Sequence, residues 1–543
     1  VRIDTLFTNG RFRTLDATRP TASRLGVVAG RVLGFDEELD GVVPAAVIDL
    51  GGAPVVPGFN DAHQHLSMRG QRLSELDLRA SVTGSLDDLY AKVAARAASL
   101  PAGAWIRGSG YDQNKIGAHP TRSALDAVAG DHPVWLAHTS AHMGVVNTAA
   151  LTAMGFSPSS VPDVDGGTVV RDDQGLSTGL LTEQAQGLVF DLLRPAPFED
   201  FVAAIGAGSR AAAADGLTSF TEPGVGLGRV AGNGTADVAA FQVARQRRLL
   251  LQRATLMPVS GALHAAGEDW FGLDLGVRTG FGDEWLRIGP VKVFSDGSLL
   301  GRTAAMRAPF ESEPDNVGFF QEPQAELREF ILQAHAYGWQ VGTHAIGDLA
   351  VGFVLDTYAE ALASHPRPDA RHRIEHAGVT TAADLARMVA LGVIPVPQGR
   401  FIGEIGDGML AALGPTRAQD CYRLRSFVDA GITLPGSSDS PVVDGSPLLG
   451  IHDMVNRLTA DGVPFSPSEA LTASQALRAY THGSAYAVHE EHQKGTLSRG
   501  KLADFTVLSD DLLSVPAAKI RTVTVGATIV GGTVVYDAGA LRS

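Results

Sequence analysis

The sequence predicts an α/β protein: a (β/α)8 TIM-like barrel, a small β-sandwich formed by both termini, and an inserted lid subdomain. Three observations predict it. Eight apolar, β-rich runs end in polar or glycine residues and alternate with helix-like segments. The two ends of the chain share a strand-and-turn texture that the middle lacks, and one connection is far longer than a crossover helix needs.

Residues 1–52 read as short strands with tight turns, including Thr5 to Phe7, Asn9-Gly10, Leu25 to Val28 and Arg31 to Phe35. The texture returns at Phe505 to Leu508, Thr522 to Val525 and Thr528 to Tyr536, with Gly531-Gly532 as a turn. Either piece alone would present unpaired sheet edges, so 1–52 and 486–543 are expected to complete one composite sandwich. The barrel takes 53–72 and 199–485. Its expected strands are Ala53 to His65, Leu217 to Glu222, Gln252 to Val259, Arg287 to Asp296, Gln340 to His344, His372 to His376, Val393 to Gln398 and Ile432 to Asp439. Helices are expected over Phe198 to Ala214, Gln324 to Tyr337, Asp348 to Ala363 and Thr381 to Ala390. Residues 73–198 carry their own strands, Trp105 to Gly108 and Pro133 to Ala137, and helices around Leu86 to Ser99 and Ser123 to Ala129. They read as an α/β subdomain over the barrel mouth, where substrate selection usually resides.

Composition narrows the function. With 59 acidic against 44 basic residues, the formal charge of −15 offers no footprint for nucleic acid or an anionic membrane, so a small-molecule partner is expected. The single cysteine, Cys421, excludes an intramolecular disulfide and a cysteine-based metal cluster. Any metal is therefore held by nitrogen and oxygen. The opening residues lack a secretory apolar core and no stretch has the length of a membrane span, which makes the cytoplasm the default expectation. A homodimer is a reasonable expectation for such a barrel.

The chemistry gathers where the runs end. His63 and His65 close the first run one residue apart, and alternate side chains on a strand face one way, so the pair can grip one ion. Two surface histidines near a turn would have the same spacing. His344 and His376 close two later runs, and Asp439 closes the last. Singly, each has an ordinary structural reading, a hydrogen-bonded histidine or a helix N-cap; together they put four imidazoles and a carboxylate on one barrel face. Lys292 stands inside an apolar strand, where a buried ammonium must find an anion or give up its proton. It either forms a salt bridge, for example to Glu222 or Asp296, or takes up carbon dioxide as a carbamate that bridges two cations.

Taken in order, several segments resemble the amidohydrolase superfamily, most closely amidohydrolase family 3, which includes N-substituted formamide deformylases. They are Pro57 to His65, Val291 to Ser298, Thr343-His344-Ala345-Ile346-Gly347-Asp348, Arg373-Ile374-Glu375-His376-Ala377, Ser438-Asp439-Ser440-Pro441 and Gly495 to Asp504. The resemblance implies that His63 and His65 bind the more buried metal with Asp439 beside it. Carboxylated Lys292 would bridge to a second metal on His344 and His376. Two divalent ions are implied, zinc first, with iron, manganese or cobalt able to take the same ligands. It further implies hydrolysis of the C–N bond of a small non-peptide amide, formamide or N-acyl compound, with Asp439 as the catalytic proton carrier. Asp296, Asp348 and Glu375 are candidates for orienting the ligands. Trp105, Tyr111, His142, Glu183, Glu222, Arg302 and Gln398 are candidates for the substrate pocket, and several serve equally as core packing. Other readings stay open at this point: an ester, lactone or phosphotriester substrate at the same centre, a one-metal deaminase with an unmodified Lys292, or a catalytically dead scaffold.

Overall fold

The computed structural model describes residues 1–79, 82–139, 143–164, 167–228, 231–267, 269–311 and 313–542. Gly58 divides the first long apolar run into two strands with different partners. Pro54–Pro57 pairs antiparallel with Phe505–Leu508 and parallel with Arg11–Arg13, whereas Phe59–Asp61 pairs in parallel with Leu217–Val225. A Cβ at Gly58 would lie 2.2 Å from Thr218 Oγ1, so a glycine is needed where the chain passes from one sheet to the next. The expectation of one barrel strand over Ala53 to His65 is corrected accordingly.

Through Pro54–Pro57 the two ends of the chain share a six-stranded sheet. Its order is Thr533–Asp537, Val525–Val530, Phe505–Leu508, Pro54–Pro57, Arg11–Arg13, Thr21–Ala22. A four-stranded sheet of Arg31–Phe35, Leu25–Val28, Arg2–Thr8 and Val43–Asp49 contributes to the same core. Phe505 stands edge-on to Phe7 and Phe12 at 4.9 and 5.9 Å between ring centroids. Each of these buried rings contributes roughly 1.5–3 kcal/mol that neither terminus could gain alone. Two sequence expectations change here. Thr522 to Val525 is not a strand, because a 3-10 turn over Ala517–Thr522 precedes strand Val525–Val530. Val43–Asp49 is a strand that no run announced, since it lies largely exposed, begins beside Pro44 and pairs with Arg2–Thr8 at the edge of its sheet.

The middle of the chain supplies two parallel four-stranded sheets. One contains Phe59–Asp61, Leu217–Val225, Arg253–Pro258 and Leu286–Ile288; the other Val291–Phe294, Val341–Ala345, Arg373–His376 and Ile394–Val396. The run expected over Arg287 to Asp296 is thus two strands, separated at Gly289-Pro290, where proline withholds a ladder donor. Ile432 to Asp439, expected as the eighth strand, forms no regular strand. Pro435 lacks an N–H, and Gly436 is pressed so closely on Tyr480 that a Cβ would meet its ring at 2.5 Å. The segment contributes isolated bonds instead: a Gln398–Ser437 bridge, and Ala62 N donating to Gly436 O at 3.0 Å. The intervening helices Phe198–Ala214, Gln324–Ala336, Asp348–Ser364 and Ala382–Leu391 fall where expected, the last opened by a reciprocal cap between Thr381 and Asp384. This α/β alternation around parallel strands is a TIM-barrel-type fold.

Met68–Ala204 forms a separate compact unit. Its six-stranded sheet runs Gly167–Arg171, Ser177–Glu183, Met143–Val146, Val134–His138, Ile106–Tyr111, Leu76–Asp77. Helices Leu86–Ser99 and Arg122–Ala129 bury Leu89, Val93 and Leu125 with Ile106 and Val134 in its core. Among the described residues no helix is long and apolar enough to cross a membrane.

Candidate metal centre

Asp61, fully buried at the end of its strand, ties the first and last expected strands together. Its Oδ1 accepts from His63 N at 3.0 Å and Ser438 N at 3.1 Å, and its Oδ2 from Ser438 Oγ at 2.6 Å. Asp439 N donates to His63 O at 2.7 Å and His65 N to Ser440 O at 2.8 Å. Laced in this way, one ligand-grade atom from each of His63, His65 and Asp439 lies within 4.8 Å of the others. Both imidazole Nε2 atoms stand 3.4 Å from Asp439 Oδ1. Asp439 has φ 60° and His376 φ 71°, left-handed backbone that a non-glycine residue holds only when its surroundings enforce it.

The other side of the centre is built on the second sheet. His344 and His376 have ring centroids 4.5 Å apart, and His376 lies 5.1 Å from His63. Lys292 is 1% exposed, its Nζ 4.8 Å from the Phe294 ring centroid. Burial pulls its pKa down to about 8, with Glu375 and Asp439 opposing. A neutral amine is therefore accessible near neutral pH, as carbon dioxide addition requires.

The imidazoles are held from behind. His63 Nδ1 bonds Glu375 Oε2 at 2.5 Å, and Arg373 clasps Glu375 with Nε and Nη2 at 2.8 Å each while reaching Ala62 O at 2.7 Å. Burial alone would push the Glu375 carboxyl up, but Arg373 and His63 outweigh it and hold it well below the usual range. Burial likewise opposes ionisation of Asp439, and the adjacent imidazoles of His63 and His65 prevail and hold its carboxyl well below the usual range. His376 Nδ1 bonds Gln398 Oε1 at 2.7 Å, and His344 Nε2 donates to Gly297 O at 2.9 Å. Burial lowers the pKa of His344 to about 3, lowers that of His65 and depresses that of His376 strongly, so all three rings are neutral at physiological pH.

This donor set fits divalent metal ions. His63, His344 and His376 each commit one ring nitrogen to a backing group, which fixes the tautomer and leaves the other nitrogen with a lone pair. Among the described residues the buried His65 Nδ1 has no hydrogen-bond partner, and the Nε2 atoms of His63 and His65 face the Asp439 carboxylate at a distance too long for strong hydrogen bonds. Neutral imidazole and carboxylate ligands without thiolate suit zinc and its borderline neighbours.

The other expected site residues are distributed as follows. Gln398 backs His376 and also donates to Val396 O and Ser437 Oγ. Glu222 is fully buried, accepting from Leu66 N, Ser67 N and Ser67 Oγ, and burial raises its pKa to about 8. Arg302 has φ 56° and donates to Leu299 O at 2.8 Å beside Phe310. In the separate unit, Trp105 packs on a core of Trp135, Val146 and Leu181. Tyr111 is fully buried there with its hydroxyl 3.1 Å from His119 Nδ1, and Glu183 is exposed at a strand end with φ 47°. His142 lies outside the described residues. Of the orienting candidates, Glu375 touches His63; Asp296 accepts from Ala305, Ile346 and Gly347 N and sits 3.4 Å from His344 Nε2. Asp348 caps Arg307 N instead. Sequence reasoning passed over Arg373 and Ser438. The signal for Arg373 was present, since Arg-x-Glu on one strand puts opposite charges on one face. A 510 Å³ cleft lined by Arg245, Asp283, Trp285 and neighbours shares no residue with the centre.

The amidohydrolase family model matches residues 46–536. The N-substituted formamide deformylase of Arthrobacter pascens is 30% identical over 549 residues, covering 98% of both chains. YtcJ of Bacillus subtilis (strain 168) is 31% identical over 496 residues, 90% of each chain. The crystal structure of a metal-dependent hydrolase from Pyrococcus horikoshii superposes with a TM-score of 0.77 at 26% identity, covering 94% of this chain and 99% of that one.

Proposed function

Because this chain belongs to the amidohydrolase family, whose members use divalent metal, we propose that it hydrolyses the C–N bond of a small non-peptide amide, formamide or N-acyl compound. The observation that carries this reading is the convergence of His63, His65 and Asp439 donor atoms within 4.8 Å. In this proposal His63 and His65 would hold one ion with Asp439 beside it, His344 and His376 would hold a second, and Lys292, as a carbamate, would supply a further anionic ligand. Zinc is the ion we assign. Carbamate formation joins the neutral Lys292 amine to carbon dioxide through a new N–C bond and releases one proton. When bound, the ions acidify water and polarise a carbonyl, lowering the barrier to attack.

The chain's own residues do the rest. Asp439, kept ionised by its imidazole neighbours, takes the proton of the attacking water as the new C–O bond forms, then delivers it to the leaving nitrogen as the C–N bond breaks. Glu375 holds His63 in the tautomer with a free Nε2. Burial of the whole set excludes bulk water, which strengthens each electrostatic interaction. The name of the Arthrobacter pascens relative supports a formamide as the first substrate class to examine. Closure of the two parallel sheets into one barrel is part of the proposal, supported by the Val259–Lys292 and Gln398–Ser437 bridges at their two edges; so is a sandwich built from both termini. The test is elemental analysis of purified protein with a hydrolysis panel of N-substituted formamides, N-acyl amines, esters and phosphotriesters. The expected result is two divalent ions per chain and amine release from the amides. Protein without divalent metal, or turnover of esters or phosphotriesters alone, overturns the proposal.

A further inference from the structure

His65 is held differently from the other imidazoles. His63, His344 and His376 each have a ring nitrogen hydrogen-bonded to Glu375, Gly297 O or Gln398. Among the described residues the buried Nδ1 of His65 has no such partner, and its Nε2 faces Asp439 at 3.4 Å. Its orientation therefore has to be set through the backbone. On one side Gln64 N donates to Thr221 O at 2.9 Å. On the other, Leu66 N and Ser67 N donate to Glu222 Oε2 at 2.7 and 3.4 Å, and Ser67 Oγ donates to Glu222 Oε1 at 2.6 Å. These donors are the open first turn of helix Leu66–Leu73, whose N–H groups have no intrahelical acceptor. Strand Leu217–Val225 thus clamps the chain on both sides of His65, and Glu222, 0% exposed, is the clamp's only ionisable member among the described residues.

We infer that Glu222 is a positioning residue for the metal centre: it fixes His65 through the two following backbone amides, as Glu375 fixes His63 through its ring. The inference rests on the metal-centre reading above and assigns Glu222 no contact with substrate. Its carboxyl is already occupied by three protein donors, and a hydrogen-bonded group that orients a ligand commonly changes metal affinity by about 10–100-fold when removed.

The experiment compares full-length wild type, Glu222→Ala, Glu222→Gln and Ser67→Ala by competition for zinc against a chromophoric chelator, and by kcat and KM at saturating zinc. Glu222→Ala is expected to weaken zinc binding about 10–100-fold and to lower kcat with KM unchanged. Glu222→Gln is expected to stay within about threefold of wild type, because its carboxamide oxygen can accept both backbone N–H groups while its NH2 donates to Ser67 Oγ. Ser67→Ala loses one bond of the clamp and should weaken zinc roughly threefold to tenfold, which keeps the inference testable if Glu222→Ala folds poorly. A Glu222→Ala or Ser67→Ala protein that binds zinc like wild type overturns the inference. So does a Glu222→Gln protein whose KM rises, which would place the carboxyl on substrate. Wild type that binds no divalent metal overturns the metal-centre reading itself, an outcome separate from both.

Discussion

The two sides of the centre are prepared by different physics. On the His63 side the backing is ionic: a buried Glu375 held by a buried Arg373, facing a pair of imidazoles and an ionised Asp439. On the His376 side the rings are hydrogen-bonded to neutral groups, an amide oxygen from Gln398 and a backbone carbonyl from Gly297, and the ionisable groups nearby are Lys292 and Asp296, whose Oδ1 lies 3.4 Å from His344 Nε2 and whose pKa burial raises to about 7. A cation brought next to two imidazoles and an ammonium would be repelled by the ammonium. In the proposed centre the second side would become a good cation site once Lys292 gains a carboxyl, whereas the first already has its carboxylate in Asp439. Metal should accordingly load on the His63 side first, with the second equivalent depending on carbon dioxide.

The strongest way to break this comparison is to remove the one carboxylate on the metal-facing side. Asp439→Asn keeps the shape and an acceptor oxygen but can neither carry a proton nor offset a cation. We expect kcat to fall about 10²–10⁴-fold, the range for loss of a positioned acid–base group, and first-equivalent metal affinity to fall with it. Steady-state kinetics with isothermal titration of zinc would measure both. Unchanged kcat would remove Asp439 from the mechanism.

A smaller pair of changes sharpens the ionic-versus-neutral contrast. Glu375→Gln replaces a charge-assisted bond to His63 with a neutral one and strands Arg373, which is 0% exposed, without its counter-ion. Breaking such a buried pair costs about 3–5 kcal/mol, and metal affinity should drop about 10–100-fold. Gln398→Ala removes a neutral bond to His376, and roughly half the interaction strength is at stake, so its effect on affinity should be several-fold smaller. Equal losses in chelator competition would mean that the two sides are backed alike.

The contrast also marks what could be read in the sequence. Residues that stand at the ends of apolar runs were legible, because a polar group closing a parallel strand has few other places to go; the four histidines and Asp439 announced themselves in this way, and Lys292 by standing inside an apolar strand. Gln398 and Glu222 were visible as polar strand-end residues, but their work was not: both act on another residue of the chain rather than outward. Arg373 was half legible: its pairing with Glu375 follows from Arg-x-Glu on one strand, but its acceptor at Ala62 comes from a contact that only the fold supplies. The same holds for the elements. Helices with clear caps, such as Ala382–Leu391, fell where the pattern put them. The strands that failed, Ile432 to Asp439 and the joined run through Gly289-Pro290, failed at prolines and glycines whose meaning depends on a neighbour, Tyr480 in the first case.

The smallest expected effect lies at the opposite end of the His376 strand and tests whether acid sensitivity belongs to the centre or to its scaffold. His372 precedes that strand; its Nδ1 accepts from Val341 N at 3.0 Å, its Nε2 bonds His335 Nδ1 at 2.8 Å, and His335 Nε2 donates to His365 O at 2.8 Å. Only two neutral rings satisfy all three bonds. Burial lowers both pKa values, that of His372 far below 6.5, and the Arg367 guanidinium adds to the shift in each. The unfolded chain therefore binds more protons than the folded one below about pH 6.5. The pair's contribution is present above that pH and is lost as pH falls toward the folded values, by at most about 1.4 kcal/mol per pH unit for each histidine. Asp61 and Asp296, raised to about 7 by burial, and Glu222, raised to about 8, act in the other direction. Their contribution is full below about pH 4 and is lost as pH rises through 7 to 8, so the wild-type profile should be shallow between pH 5 and 7. In zinc-loaded protein the histidines proposed as ligands would be held unprotonated by the metal, and what remains of the acid loss would belong to the scaffold pair. His335→Gln can still accept from His372 and donate to His365 O without titrating. Its Tm should start at or below that of wild type at pH 7 and close the gap by pH 5.5 in thermal unfolding with zinc present; parallel Tm profiles would return the acid sensitivity to the metal centre.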